Sequence, residues 1–113
     1  MPVPLYQAKA EFFRMLGHPV RIRVLELLQA HPMRVRDLLA EIDIEPAALS
    51  QQLAVLRRSG IVTATRDGAN VVYALAGADV AELMRAARRI LTQLIDDQSA
   101  LRAELQQSLV ETA

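Results

Sequence analysis

Gly60 divides two kinds of hydrophobic periodicity, and that switch constrains the fold more than any other feature of the chain. Before it, in EPAALSQQLAVLRRS, apolar residues recur at helical spacing, so that Leu49, Leu53 and Leu56 fall on one face. Pro46 stands where a first-turn residue needs no N–H. After it, IVTATRDGANVVYAL is rich in β-branched residues on both sides of Asp67-Gly68, the local signature of a β-hairpin with a type I′ turn. Val71 and Val72 break the strict alternation, so both sheet faces are expected to be partly covered.

The segments before and after complete the order of elements. PLYQAKAEFFRMLG places Leu5, Ala8, Phe12, Met15 and Leu16 at helical spacing and closes at Gly17. HPVRIRVLELLQAHP predicts a second helix, with His18 as N-cap, Pro19 at the first helical position and Pro32 as its stop. Val20, Ile22, Val24, Leu25, Leu27 and Leu28 cover most of its circumference, which predicts burial on more than one side. VRDLLAEI is a short third helix with Leu38, Leu39 and Ile42 inward, and DIEP reads as a tight turn to the helix that Gly60 ends. From Asp79 the chain is helical again, with Asp79 and Glu82 spaced as a capping box. Its apolar stripe runs through Leu83, Ala87, Ile90, Leu91 and Leu94, then thins after Asp96-Asp97 to Leu101, Leu105 and Leu109. That last part is either a continuation or a separate short helix. The expected fold is mainly α with a β-hairpin, in the order ααααββα. Two helices joined by a short turn and followed by a hairpin make a winged helix-turn-helix.

Composition narrows the function. A chain of 113 residues, 52% hydrophobic and 23% charged, is expected to be one domain, or one domain plus a helical extension. About residues 18–76 would form its winged-helix core, and about 3–17 and 79–110 its dimerisation helices. With no cysteine there are no disulfides and no thiolate metal sites, and only His18 and His31 offer imidazole. His18 reads as a cap and His31 as a loop residue. There is no Ser/His/Asp set and no phosphate-cradling glycine loop, and Lys9 is the only lysine, so no catalytic residue, cofactor or metal is expected. No stretch reaches the roughly 18 apolar residues of a membrane span, and MPVPLYQAKAEFF lacks a signal peptide's basic start and apolar core. Cytoplasmic residence without a membrane partner is the expectation. The formal net charge is zero, which argues against indiscriminate polyanion binding. The charge is uneven, however: Arg14, Arg21, Arg23, Arg34 and Arg36 face only Glu26 within residues 12–36. A neutral chain of this kind can present one basic face.

The helix before Gly60 has an outward side suited to a groove. Opposite its leucines lie Ala47, Ser50, Gln51 and Arg58, with Ala48 and Val55 on a flank and Gln52 nearer the core edge. Small residues permit close approach. Ser and Gln hydrogen-bond to base edges, and alanine methyls meet the thymine methyl. Ala47, Ala48, Ser50 and Gln51 are therefore the expected base readers. Arg57 and Arg58 are placed for phosphates, together with Arg34, Arg36 and Gln52, and with Arg66, Gly68 and Asn70 of the hairpin tip.

LGHPVRIRVLELL followed by LSQQLAVLRRSGIVTATRDGANVVYAL resembles the ArsR/SmtB family of bacterial winged-helix repressors, and most closely its cysteine-free actinobacterial branch. The resemblance runs from about residue 11 to 92. It implies a homodimer, formed by the first and last helices, that binds double-stranded DNA at an inverted-repeat operator. It also implies that Ala47, Ser50 and Gln51 read bases and that residues 66–70 form the wing. The family's common Ser-Arg-His-Leu core stands here as Ser50-Gln51-Gln52-Leu53, without a positive base reader. The Cys-x-Cys pair of one sensing type is absent from VRDLLAE, and the last helix lacks the histidines of the other. A repressor without the family's metal sites follows. Its signal is then a small-molecule effector in a dimer cleft, or expression level alone.

Leu5, Phe12 and Phe13 on the first helix, with Leu83, Ile90, Leu91 and Leu94 on the last, exceed what one small core buries, which independently predicts a homodimer. The alternative from another class is a winged helix that has lost DNA binding and acts as a protein-interaction module through its dimer surface.

Overall fold

The computed structural model describes residues 2–112. The elements are α1 (Leu5–Leu16), α2 (Pro19–Leu28), β1 (Met33–Arg34), α3 (Val35–Glu41), α4 (Pro46–Ser59), β2 (Val62–Asp67), β3 (Asn70–Leu75) and α5 (Ala78–Thr112). The chain divides into two compact units, residues 1–81 and 82–113, with the boundary inside α5.

In the first unit the core is assembled from the apolar faces that periodicity marks. Val24, Leu25 and Leu28 of α2 are buried, and Val20, Ile22 and Leu27 are half-buried, so no side of this helix's apolar set faces open solvent. Leu38 and Ile42 join from α3 and its cap, and Leu49, Leu53 and Leu56 from α4, with Ile61 and Val62 beyond it. The six largest side chains with essentially no exposure are Leu25, Leu38, Leu49, Leu53, Leu56 and Val24. Three of the six belong to α4. Its inner side is an anchor, and this leaves its outer side free to serve something else.

Helix ends follow local chemistry. His18 caps α2 as expected, its Nδ1 accepting from the Val20 N–H at 3.1 Å. Gly60 ends α4 in the left-handed region at φ 86°, its N–H donating to the Arg57 carbonyl. Beyond the adjoining residues no atom lies within 4 Å of where a Cβ would stand, so only backbone strain opposes a side chain. Gly60→Ala should therefore cost about 1–2 kcal/mol. In thermal unfolding the midpoint should fall by several degrees; an unchanged midpoint would remove the left-handed cap as a determinant.

Three details differ from the sequence expectation. A two-residue strand, β1, pairs antiparallel with β3 (Met33 with Tyr73, Arg34 with Val72) and makes the hairpin a three-stranded sheet of order β1-β3-β2. The hairpin turn is Gly68-Ala69, because Asp67 pairs with Asn70. Gly68 has φ 62° while no non-glycine residue has positive φ, so the turn cannot be type I′, which needs it at both central residues. Glycine at the first central position is the type II′ arrangement. Finally, α5 begins at Ala78, one residue before Asp79, so Asp79 lies in the first turn and the expected capping box does not form. Glu82 is instead held by the guanidinium of Arg85, whose hydrogen bond and charge lower its carboxyl pKa from the ordinary value.

In the second unit α5 continues without a break to Thr112, so the residues after Asp96-Asp97 extend the same helix. Ala, Gln, Glu, Arg and Leu are all good helix formers, and neither Gly nor Pro follows Gly77. Leu83 is half-buried, whereas Ile90, Leu91, Leu94, Ile95, Leu101, Leu105 and Leu109 are all exposed. No helix among the described residues is long and apolar enough to cross a membrane.

Candidate nucleic-acid interface

Residues 42–45 connect α3 to α4, and this short connection positions α4's outer side. Glu45 is the N-cap without a side-chain cap bond, and Pro46 is the first helical residue. With Leu49, Leu53 and Leu56 committed to the core, rotation about the helix is set by burial. Ala47, Ser50 and Gln51 are exposed, and Ala48 is half-buried on the flank. Ala54 follows Ser50 by four and Gln51 by three, which places it on the same side. It was not among the expected readers, although the spacing alone points to it. The outward strip is therefore small and polar, without a charge until Arg57 and Arg58 in the last turn.

The charged groups fall into three places. Arg57 and Arg58 are exposed beside the C-terminal end of α4. Arg66 is exposed on the wing and shares a sheet face with Val62 and Ala64, since alternate residues of a strand point the same way. Asp67 points to the opposite face, so its charge is directed away from that of Arg66. Arg34 pairs across the sheet with Val72, which pairs with Thr65, so it belongs to the Asp67 face. The expectation had grouped Arg34 with Arg66; the register separates them.

Arg34 and Arg36 come together elsewhere. With Val35 and Leu39 of α3 and Ala69, Asn70 and Val71 of the wing they line one open groove. Arg34 is half-buried and its Nε donates to Asp37 at 3.2 Å, which partly neutralises it. Among the described residues the ion pairs are this one and Arg85–Glu82, so Arg36, Arg57, Arg58 and Arg66 carry uncompensated charge. Gly68 supplies the positive φ that the turn requires.

Gln52 stands apart from the phosphate set in which its sequence position had placed it. It is half-buried, and its Oε1 accepts from Arg21 Nε at 2.8 Å. Its position near the core edge draws it inward toward α2. His31 is exposed, its Nδ1 lying 2.8 Å from the neighbouring Pro32 carbonyl oxygen. No group of three or more His, Cys, Asp or Glu that could hold a metal ion occurs among the described residues.

The residues expected at a dimer interface are exposed for the most part. On α1, Leu5 is 70% exposed, Phe13 56% and Phe12 36%, the two phenyl rings meeting edge to face at 5.5 Å. On α5, Ile90, Leu91 and Leu94 are each more than half exposed, and Leu83 is half-buried.

Comparison with known proteins bears on the family and the fold. A family model for "Bacterial regulatory protein, arsR family" matches residues 18–64, which run from the α2 cap through α4 into β2. The HTH-type transcriptional regulator Rv0081 of Mycobacterium tuberculosis is 48% identical over 103 residues, covering 90% of each chain. Its crystal structure superposes with a TM-score of 0.80 over 86% of this chain and 98% of that one. The transcriptional repressor BigR from Xylella fastidiosa gives a TM-score of 0.70 at 36% identity, over 75% of this chain and 87% of its own. Mb0332 from Mycobacterium bovis, described as a homodimeric winged helix-turn-helix DNA-binding domain, gives 0.74 at 25% identity, over 82% and 86%. These relatives are regulators rather than enzymes. The chain belongs to the ArsR family of bacterial winged helix-turn-helix transcriptional regulators.

Proposed function

We propose that this regulator is a homodimeric repressor that binds an inverted-repeat operator and works without a bound metal. The observation that carries the reading is the outward side of α4. Ala47, Ser50 and Gln51 are exposed there on a helix whose opposite side is anchored by three fully buried leucines. Such a helix presents a rigid strip narrow enough for the major groove. Two copies related by a dimer axis enter successive major grooves about 34–36 Å apart.

The division of labour follows from chemistry. Ser50 and Gln51 hydrogen-bond to base edges, and Ala47 and Ala48 meet thymine methyls. Arg57, Arg58, Arg66 and Arg36 neutralise phosphates and release counterions, so binding weakens steeply with salt. Repression is the activity of the related BigR, and a homodimer is the state of Mb0332. The metal-free reading rests on the lack of cysteine throughout and of histidine in α5. Adding zinc, nickel or cadmium should leave operator binding unchanged. The signal is then a small-molecule effector or expression level, and the site of action is the cytoplasm.

Selection from a pool of random duplexes tests the reading directly. An enriched inverted repeat supports it, whereas no enrichment favours the interaction-module alternative. On the selected duplex, Gln51→Ala should shift preference among base pairs by about 1–3 kcal/mol. Arg58→Ala should weaken selected and scrambled duplexes alike and make the salt slope shallower by about one unit. If Gln51→Ala leaves both affinities unchanged, the base-reading assignment fails.

A further inference from the structure

One hydrogen-bond junction in the first unit joins three helices and takes no part in the proposed DNA contacts. Arg21, on α2, donates from Nε to Gln52 Oε1 of α4 at 2.8 Å and from Nη1 to the Met15 carbonyl of α1 at 2.7 Å. A single guanidinium thus holds three helices.

The reason it is needed lies at the end of α1. Helix termination leaves carbonyls without intrahelical donors. The Gly17 N–H takes those of Phe13 and Arg14, and the His18 N–H takes that of Leu16. The Met15 carbonyl would receive the N–H of the residue four positions on, but that residue is Pro19, which has none. Arg21 supplies the missing donor. The same fixed, planar fork then reaches Gln52, next to the exposed Gln51. Planarity matters here: both acceptors must lie where one rigid group can serve them, so a shift of α1 against α2 is felt at α4.

We propose that Arg21 is a positioning residue that couples α1 to the base-facing side of α4. It makes no DNA contact. It sets where Ala47, Ser50 and Gln51 stand, and Gln52 is its lever rather than a phosphate ligand. Because α1 also carries the exposed Leu5, Tyr6 and Phe13, whatever packs on α1 acts on the reading helix through this junction. The proposal rests on the DNA-binding reading above.

The test is a double-mutant cycle on the intact chain, with Arg21→Met, Gln52→Met and the double variant. It is read as the ratio of affinities for the selected inverted repeat and a scrambled duplex. Each single variant should lower this ratio by roughly threefold to thirtyfold. The double variant should match either single one rather than their product. Affinity for scrambled DNA should stay unchanged, since phosphate contacts are untouched. A purely structural role would lower thermal stability while leaving the ratio intact below both midpoints, and would overturn the proposal. A loss in Gln52→Met without one in Arg21→Met would make Gln52 a direct DNA ligand and overturn it equally. If Arg21→Met does not fold, Gln52→Met with an unchanged ratio still suffices to refute it. Wild-type chain without preference for any duplex would defeat the DNA reading itself, a different result from variants that retain a preference.

Discussion

Leu53→Ala should remove about 2–5 kcal/mol of folding stability, a large part of what a domain of this size possesses. Leu53 has no exposed surface and sits between Leu49 and Leu56 on the inner side of α4, so truncation leaves a cavity in the core. Neither flanking leucine can move in without giving up its own packing. In urea the midpoint should drop while the slope stays the same, because the surface exposed on unfolding hardly changes. The comparison should be made at one protomer concentration, since the proposed dimerisation would add a concentration-dependent contribution. Gln51→Ala, two residues away on the exposed side, should change stability by less than about 0.5 kcal/mol. A Leu53→Ala loss no larger than that of Gln51→Ala would mean that α4 is not anchored by its leucines, and the rigid-strip argument would go with it.

The contrast between these neighbours shows why so much was legible beforehand. Periodicity at residues 46–59 states which side of α4 is buried, and the structure puts Leu49, Leu53 and Leu56 there without exception. The hairpin was equally visible, because β-branched runs flank a glycine. What local pattern cannot encode is pairing between distant segments. Two residues carry no period, so β1 exists only through Tyr73 and Val72. The turn shifted by one residue for the same reason: the register of β2 on β3, rather than Asp67-Gly68 as a dipeptide, decides which residues are central. Arg66 and Arg34 were separable only once that register was known. The Arg21–Gln52 bond spans 31 positions and leaves no trace in the local sequence. The proline that makes it useful, Pro19, was seen only as a helix start.

Converting Leu91 and Leu94 of α5 to glutamate together should turn the proposed homodimer into a monomer. Both side chains are more than half exposed, so the substitutions open no cavity within one chain. Across a dimer interface the same two changes bury four carboxylates in an apolar seam, where desolvation without partners is prohibitive. Sedimentation at micromolar concentration should report the monomer mass. Loss of the partner removes the second recognition helix, and with it the intramolecular step that makes two half-sites bind as one. Affinity for the inverted repeat should therefore fall by roughly 10²–10⁴. Affinity for an isolated half-site should be nearly unchanged, because Ala47, Ser50 and Gln51 lie on a separate unit of the chain. A variant that remains dimeric would move the interface off this stripe of α5. A monomer that keeps full affinity for the inverted repeat would show that two-fold symmetry is not the source of binding strength. A monomer that loses the half-site as well would carry the effect into α4 itself.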